Sequence, residues 1–381
     1  MSLNTAAFWV PIAVLIYAYI GYPLLLACIA LLRRRPAAKP GYTPKVSVII
    51  PAYNESASIK RKLDETLALR YPPEKLEIIV VSDGSTDATE TIVNSCDDPR
   101  IRLVRLSDRA GKTHAQNEAV KFCSGEVLVF SDATARYDRD ALGYLACHYA
   151  DPSVGAVSGR YFYFDDLRTS PTEFGAITFW NYENVIKYFQ SRISTLTGCS
   201  GCIYSIRRSL YVPLPDNACS DLVEPLHVVA AGYRVVFEHR AVAYEETTNT
   251  IVNEFVMRVR VATHGLTGLL NGVGVVGFAK RPWITFQLIS HKLLRWAAPF
   301  CLLSVFLSSA LLAGEPFYGW VFFCQLAFYS VGLVTLVLPL HRCWRPLGLP
   351  LYFCTLNAAA LVSIFQALRG QRYVIWNTVR Q

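Results

Sequence analysis

Four stretches of the chain carry no charged residue: Ala6–Leu32, Ala297–Gly314, Pro316–Leu340 and Leu349–Leu368. A helix of each length can cross roughly 30 Å of hydrocarbon, the second stretch being near the lower limit. The residues between the first and second stretches, from Arg33 to His264, mix polar and apolar positions as a water-soluble domain does. Within them, Lys45–Ile50 (KVSVII), Leu76–Val81 (LEIIVV), Ile101–Leu106 and Glu126–Phe130 are short apolar runs that predict strands. Ser56–Leu69, Asp87–Ser95 and Lys112–Cys123 have helical spacing. Strands alternating with helices predict the α/β class, with a mostly parallel sheet covered on both faces.

Composition agrees with a membrane protein. Hydrophobic residues make up 52% of the 381 and charged residues 17%. Ala6–Leu32 reads as an anchor, not a cleaved leader: no basic residue precedes it and it is too long. Arg33, Arg34 and Arg35 follow it, which puts the globular domain on the cytoplasmic side. Four full spans would put the carboxy terminus outside, whereas Arg369, Arg372 and Arg380 favour the inside. One stretch is therefore expected to be re-entrant or interfacial, and Leu349–Leu368, with Asn357 and Gln366, is the one singled out. Gly265–Ala279, charge-free and Gly-rich, reads as an interfacial helix leading to KRPW and SHKLLRWAAP. The expected division is a 1–35 anchor, a 36–264 cytoplasmic domain, 265–296 interfacial helices and 297–381 membrane helices with a short tail.

The net charge of +8 suits an anionic membrane face. No basic patch interleaved with stacking aromatics suggests a nucleic-acid partner. The 11 cysteines show no paired metal spacing, since the Cys199–Cys202 pair has no counterpart.

In doubly wound sheets, ligands bind beyond the carboxyl ends of the strands. Three of the four runs deliver an acid there: Glu55 in PAYNES, Asp83 in SDGSTDATE and Asp132 in SDATARYD. Each acid alone could cap a helix or order a turn. Together they form a rim suited to ribose hydroxyls or to a divalent cation on a diphosphate. No G-x-G-x-x-G follows the first strand and no G-x-x-x-x-G-K-[ST] occurs, which argues against a dinucleotide oxidoreductase and a P-loop NTPase.

The order and spacing of VSVIIPAYNES, IIVVSDGSTDATE, GKTHAQNEAV, VFSDATARYDRDAL and SDLVEPLHVVAAGYRVVFEHRAVAYEE resemble family 2 glycosyltransferases over about Lys45–Gly265. The flanking apolar stretches resemble those of polysaccharide-synthase-type members. The resemblance implies an inverting enzyme of GT-A fold, Rossmann-like, that uses nucleotide-diphosphate sugars. It implies that Asp83 contacts the base, that Ala52 and Glu55 lie in the motif that cradles the uridine, and that Lys112 approaches the nucleotide or its diphosphate. Asp132 matches the first acid of the DxD metal motif, with Thr134 in place of the second. Asp221 matches the general base. Arg258 and Arg260 match the arginines of QRxRW, whose glutamine and tryptophan are here Met257 and Val261.

Independent chemistry supports these roles. Inversion is one in-line displacement, so a carboxylate must take the acceptor proton opposite the leaving diphosphate. The leaving group needs cationic side chains and a divalent ion, Mg2+ or Mn2+. Gly198–Tyr204 (GCSGCIY) could let backbone approach a sugar ring. Trp180, Tyr182 and Tyr188 suit either sugar stacking or an aromatic membrane interface.

The expectation is a membrane-bound transferase of the bacterial inner membrane, moving a hexose or N-acetylhexosamine, from a UDP-sugar, to a glycan or lipid acceptor. A processive synthase and a single-transfer lipid glycosyltransferase both stay open, as do homo-oligomers and secretion partners. The competing class is a non-catalytic scaffold or transporter with a degenerate transferase domain, which Thr134 alone favours.

Overall fold

The computed structural model describes residues 2–33, 41–164, 173–246, 250–277, 281–371 and 373–375. Helices α1 (Leu3–Ile16) and α2 (Tyr22–Leu31) join through a π-helical turn at Tyr17–Gly21. The soluble domain then alternates: β1 (Val46–Ala52), α3 (Ile59–Leu67), β2 (Leu76–Asp83), α4 (Thr89–Asn94), β3 (Ile101–Leu106), α5 (Lys112–Val120), β4 (Val127–Ser131). Its second half holds β5 (Arg136–Tyr137), α6 (Ala141–Ala146), β6 (Val154–Phe164), α7 (Glu173–Ile193), β7 (Ile203–Arg207), α8 (Ser220–Ala230) and β8 (Arg234–Glu246). Helices α9 (Ile251–Val276), α10 (Pro282–Leu288), α11 (Leu294–Trp296), α12 (Ala298–Leu311), α13 (Pro316–Val337) and α14 (Gly348–Leu368) complete the chain.

One eight-stranded sheet runs in the order β3-β2-β1-β4-β7-β6-β8-β5. The β3-β2-β1-β4 half is parallel throughout, and the other half mixes parallel and antiparallel pairs. Period-two side-chain alternation divides the core by face. Val46, Val48, Ile50, Ile78, Val80 and Val129 pack on one side of the sheet. Ile49, Ile79, Val81, Leu128 and Phe130 pack on the other. Burial on both faces explains why these strands read as unbroken apolar runs. The order reverses at β1, so the crevice beyond β1 and β4 is the topological switch point.

The apolar stretches behave differently from one another. Leu3–Leu31, Pro316–Val337 and Arg345–Leu368 are each long and apolar enough to cross a membrane. The Ala297–Gly314 stretch is not one span in itself. Its helix α12 has 14 residues, a length of about 21 Å, and meets the Pro282–Trp296 segment at a 52° bend. The break is accompanied by a second π-helical turn, Ile289–Leu293. The two π turns are stitched together by a 2.8 Å hydrogen bond between the Tyr17 and Ser290 hydroxyls.

Leu349–Leu368, by contrast, lies in a single continuous helix. Its polar groups are satisfied against α9 and within α14. Gln366 accepts from Thr263 at 3.0 Å, Ser363 donates to the Val259 carbonyl at 3.0 Å, and Asn357 donates to the Phe353 carbonyl at 2.9 Å. The boundary drawn at 264/265 falls inside α9. That helix starts at Ile251, where the Thr250 hydroxyl accepts from the Asn253 backbone N–H at 3.2 Å, and ends before Gly277, whose φ is 56°. Residues 278–280, and Arg34, Arg35, Arg372 and Arg380 used in the orientation argument, lie outside the described residues.

Candidate active site

The carboxyl ends of β1, β2 and β4 open into one cavity. Ala52, Glu55, Asp83, Lys112, Asp132, Thr134, Asp221, Arg258 and Arg260 all line it. These nine come from six elements or their flanking loops, spread over more than half the chain.

On one side, the loops after β1 and β2 are tied together. Asn54, left-handed at φ 53°, accepts from the Thr86 backbone N–H at 2.8 Å. The Glu55 backbone N–H donates to Thr89 at 2.8 Å. Asp87 does not cap α4 as a plain N-cap residue. It clasps both loops, accepting from the Ser56 N–H at 3.0 Å and the Thr89 N–H at 2.9 Å. Burial opposes ionisation of Asp87, but those hydrogen bonds prevail and hold its carboxyl down at about 2. Asp83 is buried, and its two oxygens accept from the Ala110 and Gly111 backbone N–H groups, each at 2.8 Å. It therefore orders the turn that launches α5 as well as facing the cavity. Gly111 has φ 99°, and a Cβ there would collide with the Val374 carbonyl.

Lys112 opens α5 and forms an ion pair with Asp132, which follows β4. Burial alone would lower the Lys112 pKa, but the adjacent carboxylate outweighs it and the pKa is raised. Beneath Asp132, buried Lys62 donates to Ser131 Oγ at 2.7 Å and to the Ala135 carbonyl at 2.6 Å. Burial pushes the Lys62 ammonium down to about 8, with Asp132 opposing.

Opposite stands Asp221 in the first turn of α8, where an acid complements the helix dipole. It is not the N-cap, which is Cys219. Cys219 Sγ donates to Asp221 Oδ1 at 3.0 Å, and the Asp221 carbonyl accepts from the Cys199 N–H at 2.7 Å. The GCSGC segment thus packs against Asp221. A Cβ at Gly201 would sit 2.9 Å from Asp221 Oδ2, so this glycine makes room for the carboxylate.

Arg258, on α9, is 9% exposed. Its Nε donates to Glu254 at 2.8 Å and its Nη2 to the Tyr352 hydroxyl at 2.9 Å. Phe179, Trp180 and Tyr352 surround its guanidinium at 5.4–6.0 Å. Trp180 therefore belongs to this aromatic wall, whereas Tyr182 donates to the Tyr19 carbonyl at 2.8 Å and Tyr188 is exposed.

Several lining groups escaped the sequence reading. Tyr53 carries the Arg109 guanidinium over its ring at 3.6 Å. Tyr373, Val374 and Ile375 return from the end of α14 to the cavity. Glu245 also lines it. Along β8, Ala241, Ala243 and Glu245 share the buried phase, so an acid on the inward beat of the strand was a signal available in the sequence.

The residues at the end of β4 can be tested against a divalent cation. Among the described residues no group of three or more His, Cys, Asp or Glu forms a ready-made cation cage. Mg2+-type sites at phosphates use one or two carboxylates, the rest of the shell being water and substrate oxygens. The hard oxygen donors of Asp132 and Thr134, facing an open cavity, fit that pattern.

Residues 47–212 match the family model described as glycosyl transferase family 2. That segment, which runs from β1 through β7 and holds Ala52, Glu55, Asp83, Lys112, Asp132 and Thr134, is similar to the family. The chain's relatives include a poly-beta-1,6-N-acetyl-D-glucosamine synthase of Staphylococcus aureus, 29% identical over 63% of this chain and 59% of that protein. An N-acetylglucosaminyltransferase of Azorhizobium caulinodans is 29% identical over 53% of this chain and 54% of its own length. The chain thus spans less than two thirds of these relatives. A mannosyltransferase of Pyrobaculum calidifontis, solved in complex with GDP-Man and Mn2+, matches 97% of this chain and 100% of its own at TM-score 0.71 and 26% identity. The sheet and its flanking helices thus have the GT-A architecture, accompanied by candidate membrane helices.

Proposed function

We propose that this protein is a membrane-bound inverting glycosyltransferase that moves a sugar from a nucleotide-diphosphate donor to a hydroxyl of a glycan or lipid acceptor, in polysaccharide or glycolipid synthesis. The convergence of the nine residues on one cavity carries the reading. In it, Asp221 takes the proton of the acceptor hydroxyl as that oxygen bonds to the anomeric carbon. The bond from that carbon to the diphosphate breaks, and the nucleoside diphosphate leaves. Lys112 and Arg260 face the charge that develops on it, while Arg258 braces the wall beside it. The Ala52–Glu55 loop and Asp83 receive the nucleoside. Asp132 and Thr134 would hold Mg2+ or Mn2+, which when bound offsets diphosphate charge. The catalytic domain would work at the cytoplasmic face of a cell membrane.

The donor nucleotide is expected to be UDP, and the GDP-Man complex of the Pyrobaculum protein makes GDP-mannose the alternative. The test is nucleotide release by the full chain in detergent with UDP-N-acetylglucosamine, UDP-glucose and GDP-mannose. Asp221→Asn should bind donor normally yet lose roughly 100- to 10,000-fold in turnover. Release from none of a broad donor panel, or full turnover in Asp221→Asn, would overturn the reading.

A further inference from the structure

The threonine at 134 leaves the family motif one carboxylate short, yet its side chain reaches another. Thr134 Oγ1 donates to Glu245 Oε1 at 3.2 Å, across 111 residues of sequence. Glu245 enters from β8, and the neighbouring β6 supplies Tyr161, whose hydroxyl donates to Glu245 Oε2 at 2.6 Å. Two hydroxyls therefore fix both oxygens of one carboxylate. That carboxylate is 5% exposed and still lines the cavity. Burying a carboxylate costs several kcal/mol of solvation unless compensated. A Gln of the same shape could accept from one hydroxyl through its carbonyl oxygen and donate to the other through its amide nitrogen, so these two hydrogen bonds do not by themselves require the charge. Lys62 and Lys112 both lie within electrostatic reach of Asp132 and Glu245 together, so the two carboxylates act on one small region.

We propose that Glu245 supplies the second negative charge of the cation site, in place of the acid missing at position 134. Thr134 aims it, and Asp132 supplies the first charge. The second acid is thus moved from the motif loop to the end of β8. This rests on the proposed function, because it assigns a residue to the cation that function uses.

The test measures Mn2+ binding, not turnover, on the full chain in detergent with saturating UDP, or GDP if that is the nucleotide bound. Loss of the free Mn2+ electron paramagnetic resonance signal gives the affinity. Glu245→Gln should weaken Mn2+ binding by about tenfold or more. Nucleotide affinity without metal, and thermal unfolding without metal, should stay at the wild-type values. The double variant Glu245→Gln/Thr134→Asp, which returns the charge to the motif loop, should recover most of the lost affinity. Wild-type Mn2+ affinity in Glu245→Gln overturns the inference alone. So does a folded double variant that recovers nothing, because the carboxylate would then act through shape, not charge. Absence of Mn2+ binding in the wild-type protein instead removes the metal from the proposed function.

Discussion

Gly201 and Asp221 stand so close that a methyl group on the glycine would lie 2.9 Å from the Asp221 carboxylate oxygen. The crowding atom is the reacting end of the proposed base, and Asp221 is also held through its backbone by Cys199. Gly201→Ala should push that carboxylate aside while leaving the fold intact, since position 201 is only partly buried. A misplacement on the order of 1 Å at a reacting group costs about a hundredfold in rate. The expected outcome is a drop of that order in kcat with donor affinity unchanged. Equal loss in kcat and donor affinity would place the effect on the donor site instead.

Much of this site was legible because its first half is local. Strands β1, β2 and β4 are buried on both faces, so their runs stood out, and Asp83 and Asp132 sit directly at the ends of β2 and β4. Glu245 was not legible as a neighbour of Thr134, because only the pairing of β6 with β8 and β8 with β5 brings them together. Hydropathy could not show how Ala297–Gly314 and Leu349–Leu368 are built, for a related reason. It counts polar groups but not their partners, and Gln366 and Ser363 find theirs on α9. It also cannot see a bend, and the bend at Ala297 decides the reach of α12.

Lys112 is read as the group that meets the diphosphate, exchanging its bond to Asp132 for bonds to phosphate oxygens. A hydrogen bond to a charged group contributes about 1.5–3 kcal/mol, roughly ten- to a hundredfold in affinity. Lys112→Met should therefore weaken binding of the nucleoside diphosphate by that factor and leave binding of the bare nucleoside unchanged. Isothermal titration with UDP and uridine, or GDP and guanosine, reads both. Parallel losses for the two ligands would mean that Lys112 shapes the nucleoside pocket through the Gly111 turn.

Lys62 brackets the motif loop from below, with bonds to Ser131 and Ala135 on either side of Asp132–Thr134. Its removal has opposing effects on stability: two buried acceptors lose their donor, and a costly buried ammonium disappears. Lys62→Met should thus change unfolding free energy by no more than about 2 kcal/mol. Its effect should fall on the loop, as roughly a tenfold loss in Mn2+ affinity measured with nucleotide bound. Unaltered Mn2+ affinity would show that the loop keeps its geometry without the lysine.

Glu224 lies one turn beyond Asp221 on α8, 2% exposed. Among the described residues neither of its oxygens has a partner in good hydrogen-bond geometry, and the nearby Tyr204 hydroxyl only partly offsets the burial. Burial raises its carboxyl to about 8, and the charge of Asp221 adds to the rise. The folded protein therefore holds the Glu224 proton more tightly than the unfolded chain does. Its contribution to stability is fully present below the unfolded pKa near 4.5 and is lost as pH climbs through about 8. Glu224→Gln is neutral at every pH and escapes that loss. The two proteins should unfold at similar temperatures near pH 4.5, and the variant should become the more stable by a few kcal/mol at pH 8 and above. Parallel stability curves for the two proteins from pH 4.5 to 9 would mean that Glu224 ionises as readily in the fold as in water, through a route to solvent beside Asp221.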